Sequence, residues 1–150
     1  MHRIALLALV LSAAAVRLVA ADHILTVLSP EKTVTLTAGD LRLLPHREIT
    51  ATDPHENKPH RFSGVLVRDL LLQVGAPLGE KLRGRALQLA VLVHSKDGYA
   101  TLFALADSDD GAALPANAAP LRLIVPGDKR AARWARMVTS IEIVRPGAGP

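Results

Sequence analysis

The apolar stretch "RALQLAVLVH" at residues 85–94 is the clearest strand signal in the sequence. It is followed by "SKDGYATLFAL", in which Asp97-Gly98 is a dipeptide typical of tight hairpin turns. Because a mostly apolar run of this length is typical of a strand that is buried on both faces, we expect it to be central in a sheet. The sequence therefore predicts a β-hairpin around residues 97–98 within a larger sheet.

Alternating residues and turn signals predict further short elements. "TAGDLRLLP" predicts one helical turn that is capped near Thr37 and stops before Pro45, and residues 67–74 predict a second helix that ends at Gly75. The other predicted strands and extended pieces cover residues 24–28, 33–37, 48–52, 62–65, 121–125 and 139–144.

Polar and turn-rich stretches separate these elements. Residues 53–60 are predicted to form a polar loop, residues 106–120 a surface excursion and residues 146–150 a frayed tail. Many short strands with a few short helices in one chain of 150 residues predict an α+β domain with a mixed or antiparallel sheet.

The first 21 residues have the pattern of a secretory signal peptide. Arg3 gives a positive start, residues 4–16 form a mostly apolar run, and Val19 and Ala21 occupy the positions before an expected cleavage site. This run is too short to span a bilayer, so an uncleaved membrane anchor is the less favoured alternative. We therefore expect residues 22–150 to form a single domain that is periplasmic or secreted. The leader lacks a twin-arginine pair, which favours export as an unfolded chain.

Charge and cysteine content exclude several functions. The chain has 18 basic and 14 acidic residues, and because the leader holds Arg3 and Arg17, the exported part carries a formal charge of only +2. No basic run is interleaved with aromatic residues, so nucleic-acid binding is not expected. The sequence contains no cysteine, which excludes disulfides, thiolate metal ligands and a nucleophilic thiol.

The loop "DPHENKPH" places imidazole and carboxylate groups close together in the sequence. Because such groups bind zinc or copper, Asp53, His55 and His60 form an alternative metal site. Their spacing matches no metal-binding signature, so a polar loop without a metal is the favoured interpretation. The sequence also contains neither a G-x-S-x-G motif nor a Gly-rich phosphate loop, and it therefore indicates no hydrolase of these kinds.

The segment "VPGDKRAARWARM" holds Trp134, the only tryptophan of the chain, among Lys129, Arg130, Arg133 and Arg136. An electron-rich ring beside several cations suits a planar or anionic ligand. Tryptophan is also highly buried on average, which suits a core position with the cations in solvent. The residues alone leave both interpretations open, with Arg136 assigned to solvent.

Three blocks of sequence follow one another along the chain: "FSGVLVRDLL" at residues 62–71, "KDGYATLFAL" at 96–105 and "PLRLIVPGDKRAARWARMVTSIEIV" at 120–144. In this order they resemble the molybdopterin-binding domain of the sulfite oxidase family, over most of residues 48–144. The resemblance implies the mixed α+β fold of that domain. The chain departs from the family at two places. Family enzymes hold molybdenum through a cysteine just before the first block, where this chain has Thr52 and Asp53, and the segment after residue 106 is shorter here.

Without that thiolate, the resemblance implies a protein with no molybdenum and no redox chemistry of its own, which favours a binding protein over an enzyme. The chain is similar to the small exported members of the superfamily that lack cysteine. Some of those resemble periplasmic proteins that bind a pterin and pass the signal to a membrane sensor. The resemblance thus implies a pterin ligand and the periplasmic part of such a sensor as a partner. The alternatives are a molybdopterin-dependent oxidoreductase-like domain, a periplasmic metal-binding protein, and a structural remnant without a ligand.

The pterin site implied by this resemblance uses cations, aromatic residues and polar groups of the matching blocks. The predicted ligand-binding residues are His60, Asp97, Tyr99, Lys129, Arg130, Arg133 and Trp134. The tryptophan is expected to border the pterin ring as a stacking face. The three cations are expected to donate hydrogen bonds to the acceptors of the ring or to an attached phosphate, while His60 and Tyr99 close the other side.

Overall fold

The computed structural model describes residues 22–109, 112–115 and 121–147, so the predicted leader at residues 1–21 lies outside the described residues. The described strands are β1 His23–Leu28, β2 Thr33–Thr37, β3 His46–Asp53, β4 Lys58–Leu66, β5 Ala90–Ser95, β6 Ala100–Ala104, β7 Ala113–Leu114 and β8 Val138–Val144. The described α-helices are α1 Ala38–Leu43 and α2 Val67–Gln73. Within these residues, no helix is long and apolar enough to cross a membrane.

The described strands form two sheets. The larger has the order β2-β1-β8-β5-β6, with β1 and β8 parallel and the other neighbours antiparallel. The smaller has the order β3-β4-β7 and is antiparallel. The predicted α+β class, with a mixed sheet and a few short helices, is therefore confirmed. The central strand is β8, whereas β5 lies one place towards the edge, which corrects the expectation of a central β5.

The main core is formed by one face of the larger sheet together with α2, which packs against β1 and β4. Val91 and Val93 of β5 and Ile141 of β8 are at most 1% exposed, and Leu70 of α2 is fully buried. These alternate along the strands as the pleat requires. Burying each such side chain contributes about 1.5–3 kcal/mol relative to leaving it exposed.

Helix α1 begins where the sequence predicts. The Thr37 hydroxyl accepts a hydrogen bond from the backbone N–H of Asp40 at 3.1 Å, and the Asp40 carboxylate accepts one from the backbone N–H of Thr37 at 2.8 Å. This reciprocal pair is a capping box, which satisfies two N–H groups that an uncapped helix end leaves free.

The predicted polar loop at residues 53–60 is mostly a tight connection between two long strands. β3 and β4 pair in register from His46 opposite Val65 to Asp53 opposite Lys58, and Asn57 adopts a left-handed φ of 53° at the turn. Pro59 is tolerated inside β4 because β7 pairs only with the far end of that strand, at Val65 and Leu66. The loop prediction was therefore too long by residue 53, which ends β3, and by residues 58–60, which begin β4.

Three other boundaries also differ from the sequence predictions. The start of the predicted strand 85–94 is a 3-10 helix, Gly84–Gln88, and the strand begins at Ala90. Residues 112–115, predicted to lie in a surface excursion, are buried, and β7 pairs with β4. Residues 121–125 make only isolated bridges, Ala113 to Ile124 and Arg122 to Arg136, and are not a strand. Residues 110–111, 116–120 and 148–150 lie outside the described part.

Candidate functional site

The Trp134 side chain is part of a small second core, with Ala51 and Ile124. Its indole Nε1 donates a hydrogen bond to the Val125 carbonyl at 3.1 Å, and its ring centre lies 5.9 Å from that of Phe62 in an edge-on arrangement. The residue is 3% exposed, so neither ring face is open to a stacking ligand in this arrangement. The structure therefore places the Trp134 ring in the core, as the second interpretation expects. The prediction that the ring offers a stacking face to the ligand is corrected.

Arg122 connects the tryptophan to Asp53. Its guanidinium carbon lies 5.1 Å from the centre of the Trp134 ring, and its Nη2 lies 3.0 Å from Asp53 Oδ2. The other oxygen of Asp53 accepts the backbone N–H of His55 at 2.8 Å. The hydrogen bond from His55, followed by the hydrogen bond and charge of Arg122, lowers the pKa of Asp53 below its usual value, although burial opposes the shift. The Asp53 carboxylate is thus held by groups of the chain itself.

The alternative metal site at Asp53, His55 and His60 does not assemble. His60 Nε2 lies 2.9 Å from Glu56 Oε2, while Asp53 is turned to Arg122. Across the described ranges, no group of three or more His, Asp or Glu side chains is arranged to hold a metal ion. These side chains do not form a metal site because Asp53 binds Arg122 and the His55 N–H, while His60 binds Glu56.

A cavity of about 340 Å³ lies beside the tryptophan segment, and we call it the tryptophan cavity. Its volume is within the range of about 300–1,000 Å³ that is typical of small-molecule sites. The residues that line it come from three separate parts of the chain, and they are His55, Ser95, Asp97, Tyr99, Ala131, Ala132, Trp134, Ala135 and Arg136.

One wall of the tryptophan cavity is polar and is formed by the end of the β5–β6 hairpin. Ser95, Asp97 and Tyr99 contribute to it. The hairpin end is fixed because Asp97 Oδ1 accepts the Tyr99 backbone N–H at 3.1 Å, and Gly98 supplies the φ of 85° that the turn requires. The Tyr99 hydroxyl donates to the Ala132 carbonyl at 2.6 Å, which ties this wall to a second one.

A second wall is apolar. It is formed by Ala131, Ala132 and Ala135 around the buried Trp134. Ala131 and Ala132 belong to the short 3-10 helix Ala131–Arg133, which places consecutive small side chains on the cavity. A lining that combines small apolar side chains with polar groups suits a flat molecule with hydrogen-bonding groups along one edge.

Ser95 carries an unsatisfied hydroxyl in the polar wall. The residue is 6% exposed, and its Oγ is buried with no hydrogen-bond partner among the described residues. Its backbone is satisfied, because its N–H donates to the Tyr99 carbonyl at 2.8 Å and its C=O accepts from Gly98 at 3.1 Å. A buried hydroxyl without a partner costs about 1–3 kcal/mol. Such a group is expected where a ligand or water completes its hydrogen bond.

The backbone is irregular next to Ser95. The pairing of β5 with β8 shifts register between His94 and Ser95, and Met137, just before β8, adopts a left-handed φ of 52°. Met137 is held there because its carbonyl accepts the Lys96 N–H at 2.8 Å. Bulges and unusual backbone angles concentrate beside functional sites, so this irregularity also marks the tryptophan cavity as the candidate site.

Three of the seven predicted ligand-binding residues line this cavity, namely Asp97, Tyr99 and Trp134. The prediction that all seven border one site needs correction. Lys129 lines a different cavity of about 480 Å³ beside β3, and His60 pairs with Glu56. Arg130 is exposed, and its backbone N–H donates to Asp128 at 3.3 Å.

Arg133 is committed to partners within the chain. Its Nε lies 3.2 Å from Asp128 Oδ2, in an ion pair without the angles of a hydrogen bond, and its Nη2 lies 3.7 Å from Asp107 Oδ2. Its guanidinium carbon lies 4.4 Å from the centre of the Phe103 ring. The arginine lines a third cavity of about 320 Å³, and it joins the tryptophan segment to β6 and the 3-10 helix Leu105–Asp109.

Sequence reasoning missed Ser95 and Arg136, which line the tryptophan cavity, and it named His55 only as a metal ligand. Ser95, Asp97 and Tyr99 flank or form the turn of a predicted hairpin, and this turn is the sequence signal that brings them close together. Arg136, assigned to solvent, is exposed and also lines the cavity. Arg122 was missed because its partner Asp53 is distant in the sequence.

Comparisons with known proteins show a likeness at the level of the fold. No family model matches the chain, and no curated protein matches it. Among solved structures, it is similar to the sulfane dehydrogenase SoxCD from Paracoccus pantotrophus, with a TM-score of 0.62 and 17% identity over 83% of this chain. The match spans 39% of that chain, so this protein corresponds to well under half of it. The match therefore shows that the chain shares the fold of the corresponding part of that protein.

Proposed function

We propose that this protein is an exported, non-catalytic pterin-binding protein and that its ligand occupies the tryptophan cavity. The observation that carries the proposal is the pairing of an alanine-lined wall with a polar wall that holds the unpartnered Ser95 hydroxyl. A pterin is a flat, two-ring heterocycle with hydrogen-bonding groups along its pyrimidine edge. Its faces suit the alanine wall, and its edge suits the hairpin end.

The residues present do not fit molybdenum. The metal is held by a thiolate in the enzymes that the sequence resembles, and this sequence contains no cysteine. Asp53, near the corresponding place, already binds Arg122 and the His55 N–H. We therefore propose a role in binding and not in oxidation, within a relative of the sulfite oxidase family.

A role in signalling is the part of the proposal that rests on the resemblance and the leader. An exported protein without redox chemistry meets pterins outside the cytoplasm, and its liganded form contacts the periplasmic part of a membrane sensor. The signal-like residues 1–21 support export, and the resemblance supports the sensor as partner.

The decisive experiment blocks the cavity and measures the melting temperature with and without dihydropterin. A ligand that binds only the folded state raises the melting temperature by mass action. Ala132→Leu fills the apolar wall, and Ala104→Leu makes the same change at an exposed position of β6, outside the cavity. We expect dihydropterin to raise the melting temperature of the unmodified protein and of Ala104→Leu. It should not change the melting temperature of Ala132→Leu.

The same assay with zinc or copper tests the metal-binding alternative. Stabilisation by a metal and not by dihydropterin would favour that alternative. Equal stabilisation of Ala132→Leu and the unmodified protein by dihydropterin would place the ligand outside the tryptophan cavity. No response to dihydropterin at millimolar concentration contradicts the proposed function.

A further inference from the structure

The charges around the tryptophan cavity differ from those expected at a site for a phosphate. Among the residues that line it, Asp97 and Arg136 carry a charge. The other titratable side chains in the lining are His55 and Tyr99. Lys129 and Arg133 line other cavities, and Arg133 is paired with two carboxylates. Phosphates are usually held by several cationic donors, so the cavity is better suited to an unphosphorylated ligand.

The polar wall offers hydrogen-bond acceptors that the folded chain leaves unused. Asp97 Oδ1 accepts the Tyr99 N–H, whereas Asp97 Oδ2 has no hydrogen bond within the described part of the chain. The Ser95 Oγ is buried and has no partner there either. The two residues are two positions apart, and both line the cavity. Asp97 thus offers an exposed carboxylate oxygen to a molecule that enters, and Ser95 adds a buried hydroxyl without a partner to the lining of the same cavity.

We propose that Ser95 and Asp97 recognise the N–H groups of an aminopyrimidine edge, so that the site selects an unphosphorylated pterin that retains its 2-amino group. This inference rests on the proposed function and identifies the part of the ligand that is recognised. A carboxylate that accepts an N–H from a ligand forms a short charge-assisted hydrogen bond. If a carbonyl replaces the amino group, two acceptors face each other and the Asp97 carboxylate and the Ser95 hydroxyl lose their partner, which is how polar sites reject close analogues.

The test compares pterin with lumazine, in which a carbonyl replaces the 2-amino group of pterin. Dissociation constants for both are measured by calorimetry with the unmodified protein, Asp97→Asn and Ser95→Ala. We expect the unmodified protein to bind pterin at least about tenfold more tightly than lumazine, as the loss of a charge-assisted hydrogen bond predicts. Asp97→Asn keeps an acceptor for the Tyr99 N–H but can turn an amide NH₂ towards lumazine, so it should reduce the preference for pterin.

Ser95→Ala separates a ligand role from a structural one. Because the hydroxyl has no partner in the unliganded protein, its removal should leave the melting temperature without ligand unchanged or raised. Affinity for pterin should fall several-fold in the same variant. Ser63→Ala, an exposed serine on β4, serves as the matched control and should change neither quantity.

Each failure is distinguishable. Equal affinity for pterin and lumazine, or an unchanged preference in Asp97→Asn, overturns the assignment of Asp97 and leaves the proposed function standing. Unchanged pterin affinity in Ser95→Ala overturns the assignment of Ser95. If neither compound binds the unmodified protein, the proposed function fails together with this inference.

Discussion

At the scale of single residues, most charged side chains around Trp134 form ion pairs with one another. Arg122 joins Asp53 to the indole ring, and Arg133 joins Asp107 to Asp128. The sequence shows that a tryptophan lies among cations, but Asp107, which pairs with Arg133, lies outside that segment, and Asp53 lies 69 residues away from its partner Arg122. For that reason the tryptophan segment was identifiable from sequence, while the division between paired and ligand-facing cations was not.

The first residue-scale prediction concerns the Asp53–Arg122 pair. Asp53→Asn removes the charge that Arg122 faces and weakens the acceptor for the His55 N–H. We expect a loss of about 1.5–3 kcal/mol in the free energy of unfolding at pH 7, the usual range for hydrogen bonds to charged groups. Urea unfolding measures it. Glu48→Gln, an exposed change on the same strand, should have an effect within about 0.5 kcal/mol. Equal stability of the two variants contradicts a structural role for the pair.

The same carboxylate gives a pH dependence of defined sign. Its pKa is lowered in the folded protein, so the unfolded chain takes up the proton first as the pH falls. The stability that Asp53 contributes is complete above its unfolded pKa of about 3.9 and is lost as the pH falls through the lower folded pKa. Unfolding measured from pH 6 to pH 2.5 should therefore show a smaller acid loss in Asp53→Asn than in the unmodified protein. Parallel pH curves for the two would contradict this origin of the acid sensitivity.

At the scale of elements, local sequence signals predicted helix ends and the hairpin turn well. They did not predict which strands pair with each other. The Thr37 cap, the helix that ends before Gly75 and the Asp97-Gly98 hairpin all lie where short-range chemistry places them. The existence of β7 depends on contacts between residues about 50 positions apart, such as Val65 with Leu114. A polar composition and the prolines of the turn and the strand, Pro54 and Pro59, hid the first half of β4. Among the described strands this half pairs only with β3, and its other side tolerates Pro59.

Gly64 of β4 carries the prediction at this scale. A Cβ at this position would collide with the carbonyl group of Leu114 in β7 and lie 2.7 Å from the Pro115 nitrogen. Gly64→Ala should therefore destabilise the protein by at least about 1–3 kcal/mol, the usual cost of overpacking. Gly39→Ala in α1 is the matched control, since its Cβ would lie at an ordinary 3.5 Å from Thr37 Oγ1. In that helix, replacing glycine by alanine should increase the free energy of unfolding by about 0.5–1 kcal/mol. Chemical denaturation measures both, and equal stability of the two variants contradicts the close approach of β7.

At the scale of the whole molecule, the sequence predicted the fold class. It predicted only some of the residues that form the candidate site. Short alternating segments and the order of the three sequence blocks predict a mixed α+β domain, as the structure has it. The tryptophan cavity combines residue 55, residues 95–99 and residues 131–136. Their meeting depends on how the hairpin end and the tryptophan segment pack, which no local pattern encodes.

Export gives the prediction for the whole chain. β1 begins at His23, directly after the expected cleavage site, so removal of residues 1–21 leaves every described strand and helix intact. Produced with its leader in a Gram-negative host, the protein should be recovered from the periplasmic fraction with Asp22 as its first residue by N-terminal sequencing. Recovery of the uncleaved chain from the membrane fraction would instead indicate an anchor.

The position of β8 in the larger sheet determines when, during synthesis or export, that sheet can finish folding. β8 comes last among the described strands, yet it lies between β1 and β5 and is the strand that joins their hairpins within the sheet. In a chain that emerges from a ribosome or a translocation channel in N-to-C order, the larger sheet therefore consists of two separate hairpins until β8 has emerged. Because such distant pairings form late and slowly, the sheet closes in one final step, and proteases have their best access to the chain before it.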